Sequence, residues 1–262
     1  MESLNLTWWR TKKYYNWGDV LNPILFEWLS GLSPVYISTG DSSDTHRYIC
    51  IGSILPPCSP NSEIWGSGFM SPPWESTPII APKRIHAVRG PLTRDIFLKR
   101  GISCPKVYGD PALLCPMFYF PEVRKVYKLG IIPHYVDQGN HWIKWKEKEK
   151  NVLVIDILSG VEKVIDEILS CEMIISSSLH GIIAADAYGV PSLWVEFSDK
   201  VGGEGFKFRD YFMSVGRKDR VPIKIDGHSM LRKLYPKFYE YHLDIDLKLL
   251  LDSCPFYKEN LK

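Results

Sequence analysis

The stretch Met173-Ile174-Ile175-Ser176-Ser177-Ser178-Leu179-His180-Gly181, continuing as Ile182-Ile183-Ala184-Ala185-Asp186-Ala187-Tyr188-Gly189-Val190-Pro191, constrains this chain more than any other. Its branched apolar run reads as a buried strand that breaks into three serines. A helical segment follows, ended by Gly189, and a new strand starts after Pro191. Ser178, Leu179 and His180 therefore fall at the carboxyl end of a parallel strand and the start of the next helix. Open α/β sheets bind ligands in that crevice, and a helix start presents unpaired N–H groups suited to an anion. The bland alternative is that the serines only cap the helix and His180 is an ordinary polar neighbour.

Apolar strand-like runs alternate with helical spacing along most of the chain, which argues for parallel α/β structure. Strands are expected at residues 4–10, 48–54, 63–66, 84–88 and 106–108, with helices at 19–29 and 93–99. After a break near 115–127, where Pro116 and Pro121 interrupt the pattern, the alternation restarts. Strands are expected at 128–132, 152–155, 173–176 and 192–197, with helices at 141–148, 161–169 and 208–215 and a helical tail over 229–251. The expectation is an α/β chain of two Rossmann-like halves facing a cleft, residues 1–120 and 121–225. A tail, 226–262, crosses back onto the first half. No internal repeat is visible.

Composition narrows the function. Of the 262 residues, 45% are hydrophobic and 24% charged, as in an ordinary globular protein. A net charge of +2 gives no argument for nucleic acid as a partner. The six cysteines are scattered without CxxC or zinc spacing. With no apolar leader and no run approaching the roughly 20 residues of a membrane span, the expected setting is cytoplasmic, with free thiols. Aromatic residues make up 13%, and rings with polar edges suit a sugar-binding cleft.

Several short loops follow expected strands and should gather at that cleft. In Tyr15-Asn16-Trp17-Gly18-Asp19, Asn16 or Asp19 serves either as a helix cap or as a ligand. Trp65-Gly66-Ser67-Gly68-Phe69 lets backbone approach a ligand at Gly68, although no phosphate-loop lysine follows. Arg89, in Val88-Arg89-Gly90-Pro91-Leu92-Thr93, ends a strand, and its planar fork suits carboxylate or phosphate. The glycine-rich segment 201–211, with Lys207 and Arg209, is either a cleft wall or a plain linker. His134 and Tyr135 at a strand end could face an acceptor. His46, His86, His141, His228 and His242 sit in no constellation, and the lysine-rich stretch 144–150 reads as a solvated helix face.

In order along the chain, Asn16-Trp17-Gly18-Asp19, Val88-Arg89-Gly90-Pro91-Leu92-Thr93, Gly109-Asp110-Pro111-Ala112, Ile132-Pro133-His134-Tyr135, Ser178-Leu179-His180-Gly181 and Tyr188-Gly189-Val190-Pro191 resemble the polysaccharide pyruvyltransferase family. The resemblance implies a fold similar to the GT-B glycosyltransferase architecture. It implies transfer of the enolpyruvyl group of phosphoenolpyruvate to a sugar, leaving a pyruvate ketal, with no cofactor beyond that donor. By the same resemblance His180 is the catalytic histidine and Arg89 a donor ligand. Ser178, Leu179 and Gly181 belong to the donor site, and Asn16, Asp19, Gly68, Asp110, His134 and Tyr135 to the cleft or acceptor side.

Many members carry an arginine where this chain has Ser178, and Lys207 or Arg209 is the expected substitute. A lipid-linked acceptor would bring the chain to the inner face of a membrane. Positioned beside a bound trianion, His180 would protonate the donor's methylene carbon. The alternatives are a nucleotide-sugar glycosyltransferase on the same architecture and a catalytically silent glycan-binding protein.

Overall fold

The computed structural model describes residues 4–10, 16–41, 43, 45–55, 58–73 and 76–259. Tyr15, Pro56 and Pro57 lie outside them.

The first half contains β1 (Asn5–Thr7), α1 (Trp17–Ser30), β2 (Val35–Tyr36), β3 (Arg47–Ile49), β4 (Ser62–Trp65), β5 (Arg84–Ala87) and α2 (Pro91–Lys99). The second contains β6 (Tyr127–Ile132), α3 (His141–Lys146), β7 (Val152–Val154), α4 (Val161–Leu169), β8 (Cys171–Ser176), α5 (Leu179–Ala187), β9 (Ser192–Glu196), α6 (Phe206–Ser214) and β10 (Ile223–Lys224). Each sheet has five strands, ordered β2-β1-β3-β4-β5 and β10-β9-β8-β6-β7. All their pairings are parallel. Numbered from its own first strand, each half runs 2-1-3-4-5. The two halves thus share one doubly wound topology, a repeat of element order that the residues themselves do not display. In such a sheet the strand order reverses between the first and third strands, and the crevice for ligands opens there.

Local patterns explain the elements. Helix α4 buries Val161, Val164, Ile165 and Ile168, the i, i+3, i+4, i+7 stripe of a half-covered helix. Helix α5 is apolar nearly all round and is buried from Leu179 through Asp186 except at His180. It can sit low on the sheet because Gly181 lacks a side chain: a Cβ there would lie 2.6 Å from Ser176 Oγ and 2.8 Å from Ile132 Cγ2. Asn16 caps α1, and Gly31, at φ 70°, ends it in the left-handed conformation.

Two expectations need correction. Residues 106–108 form only an isolated bridge, Val88 to Tyr108, before Asp110 caps a 3-10 helix over Pro111–Met117. The tail is not one helix. It makes short 3-10 turns at Leu231–Lys233 and Tyr235–Lys237 and then α7 (Leu247–Asp252), with Pro236 removing a backbone donor between them. Strands β2 and β10, of two residues each, are too short to show a period in the sequence.

One continuous apolar cluster joins the halves, from Leu21 and Leu25 of α1 to Val164 and Ile165 of α4 and Ile182 and Ile183 of α5. The tail returns across it: Trp65 Nε1 donates to Leu250 O at 3.0 Å, and Phe256 packs on Phe26 with ring centroids 4.2 Å apart. On the way it is pinned by a buried ion pair. Arg217 Nη1 lies 2.8 Å from Asp186 Oδ1, and the hydroxyls of Tyr211 and Tyr241 both donate to the same carboxylate. Among the described residues no helix is long and apolar enough to cross a membrane.

Removing one member of a buried pair strands the other. Arg217→Met should therefore cost about 3–5 kcal/mol in urea unfolding. A loss below about 1 kcal/mol, the range of surface pairs, would show that this network does not hold the tail.

Candidate active site at two facing switch points

The two crevices face each other and enclose one cavity of about 420 Å³. From the first half it is lined by Trp9, Asn16 and Asp19 beyond β1, Thr39 and Gly40 beyond β2, Ser53 and Ile54 beyond β3, and Met70 beyond β4. The second half contributes His134 and Tyr135 beyond β6, Ser178, Leu179 and His180 beyond β8, and Lys207 beyond β9. Every lining residue therefore lies past the carboxyl end of a strand.

The start of α1 reaches into the second half. Trp17 N donates to Ile157 O at 2.9 Å, and Trp17 Nε1 donates to Val161 O at 3.2 Å. Beside it, Asn16 fixes the state of His180. The backbone N–H of Gly18 can only donate, so the Asn16 atom it meets at 3.3 Å is the carbonyl oxygen. The same oxygen lies 2.7 Å from His180 Nδ1, which must then carry the ring proton and leave Nε2 with a lone pair in the neutral ring. Gly18 has no substitute here, because a Cβ would lie 2.4 Å from the His180 ring.

The ring is neutral: burial, then the charges of Lys207, Arg89 and His134, lower its pKa to about 3. Burial and Lys207 likewise lower His134 to about 4. His134 Nδ1 accepts from Val136 N–H at 3.4 Å, so its proton sits on Nε2. The cavity thus holds two neutral histidines of opposite tautomer.

Helix α5 offers the N–H groups that precede its first internal bond, Ile182 N to Ser178 O at 3.2 Å. The Ser178 side chain does not cap them. Lys207, in the first turn of α6, is buried, and its ammonium makes no hydrogen bond or ion pair among the described residues. Burial, then Arg89, lowers its pKa to about 8, opposed by Asp19. Burial raises Asp19 to about 7, opposed by Lys207.

The other expected residues stand outside the cavity wall. Arg89 is fully buried behind Ser53: Nε and Nη2 hold Asp210 Oδ2 at 3.1 and 3.0 Å, Nη1 donates to Ser53 Oγ at 2.6 Å, and Nη2 donates to Phe69 O at 2.6 Å. Thr93 completes the grip, donating from N at 3.0 Å and from Oγ1 at 2.7 Å to the Asp210 carboxylate. The Val-Arg-Gly-Pro-Leu-Thr segment therefore clamps α6, and Arg89 affects the cavity through Ser53 and its charge. Gly68 makes room for that guanidinium, since a Cβ there would lie 2.4 Å from Arg89 Cζ. Asp110 caps its 3-10 helix through Ala112 N at 3.0 Å. Gly181 serves packing, and Arg209 does not line the cavity.

A cluster that the sequence did not suggest lies at the opposite, amino ends of β4 and β5. Glu63 meets His46 at 2.9 Å, Lys83 at 2.9 Å and His86 at 2.7 Å. Burial pushes the Glu63 carboxyl up, but hydrogen bonds from Lys83, His86 and His46 bring it down to about 2. Only strand register, Tyr48 to Glu63 and Glu63 to Arg84, brings these distant positions together. All six cysteines are buried and free.

The family model described as Polysaccharide pyruvyl transferase matches residues 8–199. The chain is 35% identical over 215 residues, 78% of its length and 72% of the relative's, to an uncharacterized protein of Acanthamoeba polyphaga mimivirus. It is 30% identical over 244 residues, 84% of its length and 71% of the relative's, to the succinoglycan biosynthesis protein ExoV of Rhizobium meliloti.

An unpaired buried ammonium costs stability, and Lys207 should reveal that cost. Its pKa in the folded chain lies below its unfolded value, so the cost is full below about pH 8 and fades as pH rises toward 10.5. Lys207→Met should raise the melting temperature of the empty protein at pH 7, by about 2–4 °C per kcal/mol recovered. The gain should shrink between pH 8 and 10.5. A lower melting temperature at pH 7 would identify Lys207 as structural.

Proposed function

The chain belongs to the polysaccharide pyruvyl transferase family, and from that premise we propose that it moves the enolpyruvyl group of phosphoenolpyruvate onto a sugar of a polysaccharide or its precursor. The product is a pyruvate ketal, and phosphate is released. The observation that carries this reading is the Lys207 ammonium, which has the Phe208 ring at 5.7 Å but no hydrogen bond or ion pair among the described residues, in the same cavity as the uncapped start of α5. A small polyanion matches both, because a helix start and a desolvated cation each favour negative charge. Lys207, and not Arg209, takes the place of the arginine that many members carry at the Ser178 position.

His180 exchanges protons with the substrates. The sequence suggested an acid, but acid work needs a protonated ring, and the neutral Asn16 partner gives an imidazolium none of the help a carboxylate would. With its Nε2 lone pair free, His180 fits the base that takes the proton of an acceptor hydroxyl as that oxygen attacks C2 of the donor, the donor's negative charge supporting the imidazolium that forms. Trp9 and Tyr135 at the cavity offer ring faces to a sugar. A polysaccharide acceptor, free or lipid-linked, is supported by the ExoV relative's part in succinoglycan biosynthesis.

A ligand that binds only the folded state raises apparent stability. Phosphoenolpyruvate with EDTA present should raise the melting temperature of the wild-type chain and leave that of Lys207→Met unmoved. With a panel of oligosaccharides, His180→Gln should still bind the donor but release phosphate about 10²–10⁴-fold more slowly. Stabilisation by a nucleotide sugar and none by phosphoenolpyruvate would replace this reading with glycosyl transfer.

A further inference from the structure

The transfer proposed above needs two proton movements, and His180 accounts for one. Phosphoenolpyruvate and a diol react to give the ketal and hydrogen phosphate with no net proton. The donor's methylene carbon gains a proton and becomes the methyl group. The C2–oxygen bond to phosphate breaks, two bonds from C2 to sugar oxygens form, and the two hydroxyls lose their protons. One of those protons replaces the proton given to the methylene carbon, and the other leaves with phosphate. A base at the hydroxyl thus calls for a separate acid at the methylene carbon.

Asp19 stands where that acid is needed. It lies in the first turn of α1, three residues after Asn16, so the helix that fixes the His180 tautomer also places this carboxyl group in the cavity. The side chain makes no hydrogen bond or ion pair among the described residues; it is the acidic residue of the first turn of α1, a place that favours negative charge. Desolvation outweighs that help and the charge of Lys207, so the carboxylate is costly to the fold. The charged and titratable groups around it are Lys207 from α6, His180 from α5, and His134 and Tyr135 from the loop after β6, with Arg89 behind Ser53.

We propose that Asp19 is a catalytic residue of this site, its carboxyl group giving the proton to the donor's methylene carbon while His180 Nε2 takes the proton of the attacking hydroxyl. Burial holds the Asp19 pKa near 7, so the carboxyl is about half protonated at neutral pH in the empty cavity. The donor's negative charge, drawing on Lys207, lifts it further, so the acid is charged with its proton by the substrate it serves. Two groups of one cavity thus have environments that push their protonation states apart, an acidic side chain held protonated and a basic one held neutral.

The proposal rests on the pyruvyl-transfer reading, and the test separates the two. Calorimetric titration with phosphoenolpyruvate at pH 7, in buffers of different ionisation enthalpy, counts the protons taken up on binding. Wild type should take up about half a proton more per donor bound than Asp19→Asn, and Asp19→Glu should restore the uptake. The melting temperature of Asp19→Asn should be no lower than wild type at pH 8, because the variant loses a partly buried carboxylate whose pKa desolvation raises. Equal uptake by wild type and Asp19→Asn, with the donor still bound, would overturn the acid and leave the pyruvyl-transfer reading standing. Absence of phosphoenolpyruvate binding to wild type would overturn both.

Discussion

The site depends on the first turn of α1 being held by the other half of the molecule. Trp17 is tied to Ile157 and Val161, and Asn16 is tied to His180, so the two sheets cannot shift without breaking bonds at the reactive centre. Each sheet alone has only half a crevice at its strand reversal. Facing each other, with α1 as the bolt, the halves line one cavity. The Asn-Trp-Gly-Asp motif reads residue by residue in these terms. Asn16 sets a tautomer, Trp17 anchors the second half, Gly18 leaves space for an imidazole, and Asp19 puts a carboxyl group in the same cavity.

A second clamp works from the other side. Arg89 and Thr93 grip Asp210, and α6 is thereby fixed with Lys207 in its first turn. Gly90 permits this approach, since a Cβ there would lie 2.0 Å from Asp210 O. Arg89 is thus spent inside the protein on a carboxylate, whereas Lys207 lines the cavity. Positions that look like binding residues in the sequence, Arg89 and Gly68, build the support on which Lys207 stands.

The architecture was legible because its signals are local. Branched runs, capping residues and the apolar α5 are read within a dozen residues, and so is the place of His180 at a strand-to-helix switch. Pairings between distant positions were not. Nothing near Arg89 announces Asp210, which lies 121 residues on, and nothing near Glu63 announces His46 or His86. Lys207 and Arg209 were equivalent in the sequence because the start of α6 was not fixed. Two residues on a helix are about 200° apart, so once α6 begins at Phe206 only one of them can face the cavity. The shared 2-1-3-4-5 order was invisible for a different reason: topology is kept by element order, and the two halves fill that order with different residues.

The protonation pattern follows from burial and from few paired charges. Burial works against every charge in the cavity, lowering His180 and Lys207 and raising Asp19. A bound anion would favour the protonated form of all three groups. On the proposed chemistry, a polyanionic donor would strengthen the lysine's charge and keep the aspartic acid protonated. Such a site would discriminate by charge in its chemical step as well as in binding, because a neutral ligand of the same shape would leave Asp19 about half ionised at neutral pH.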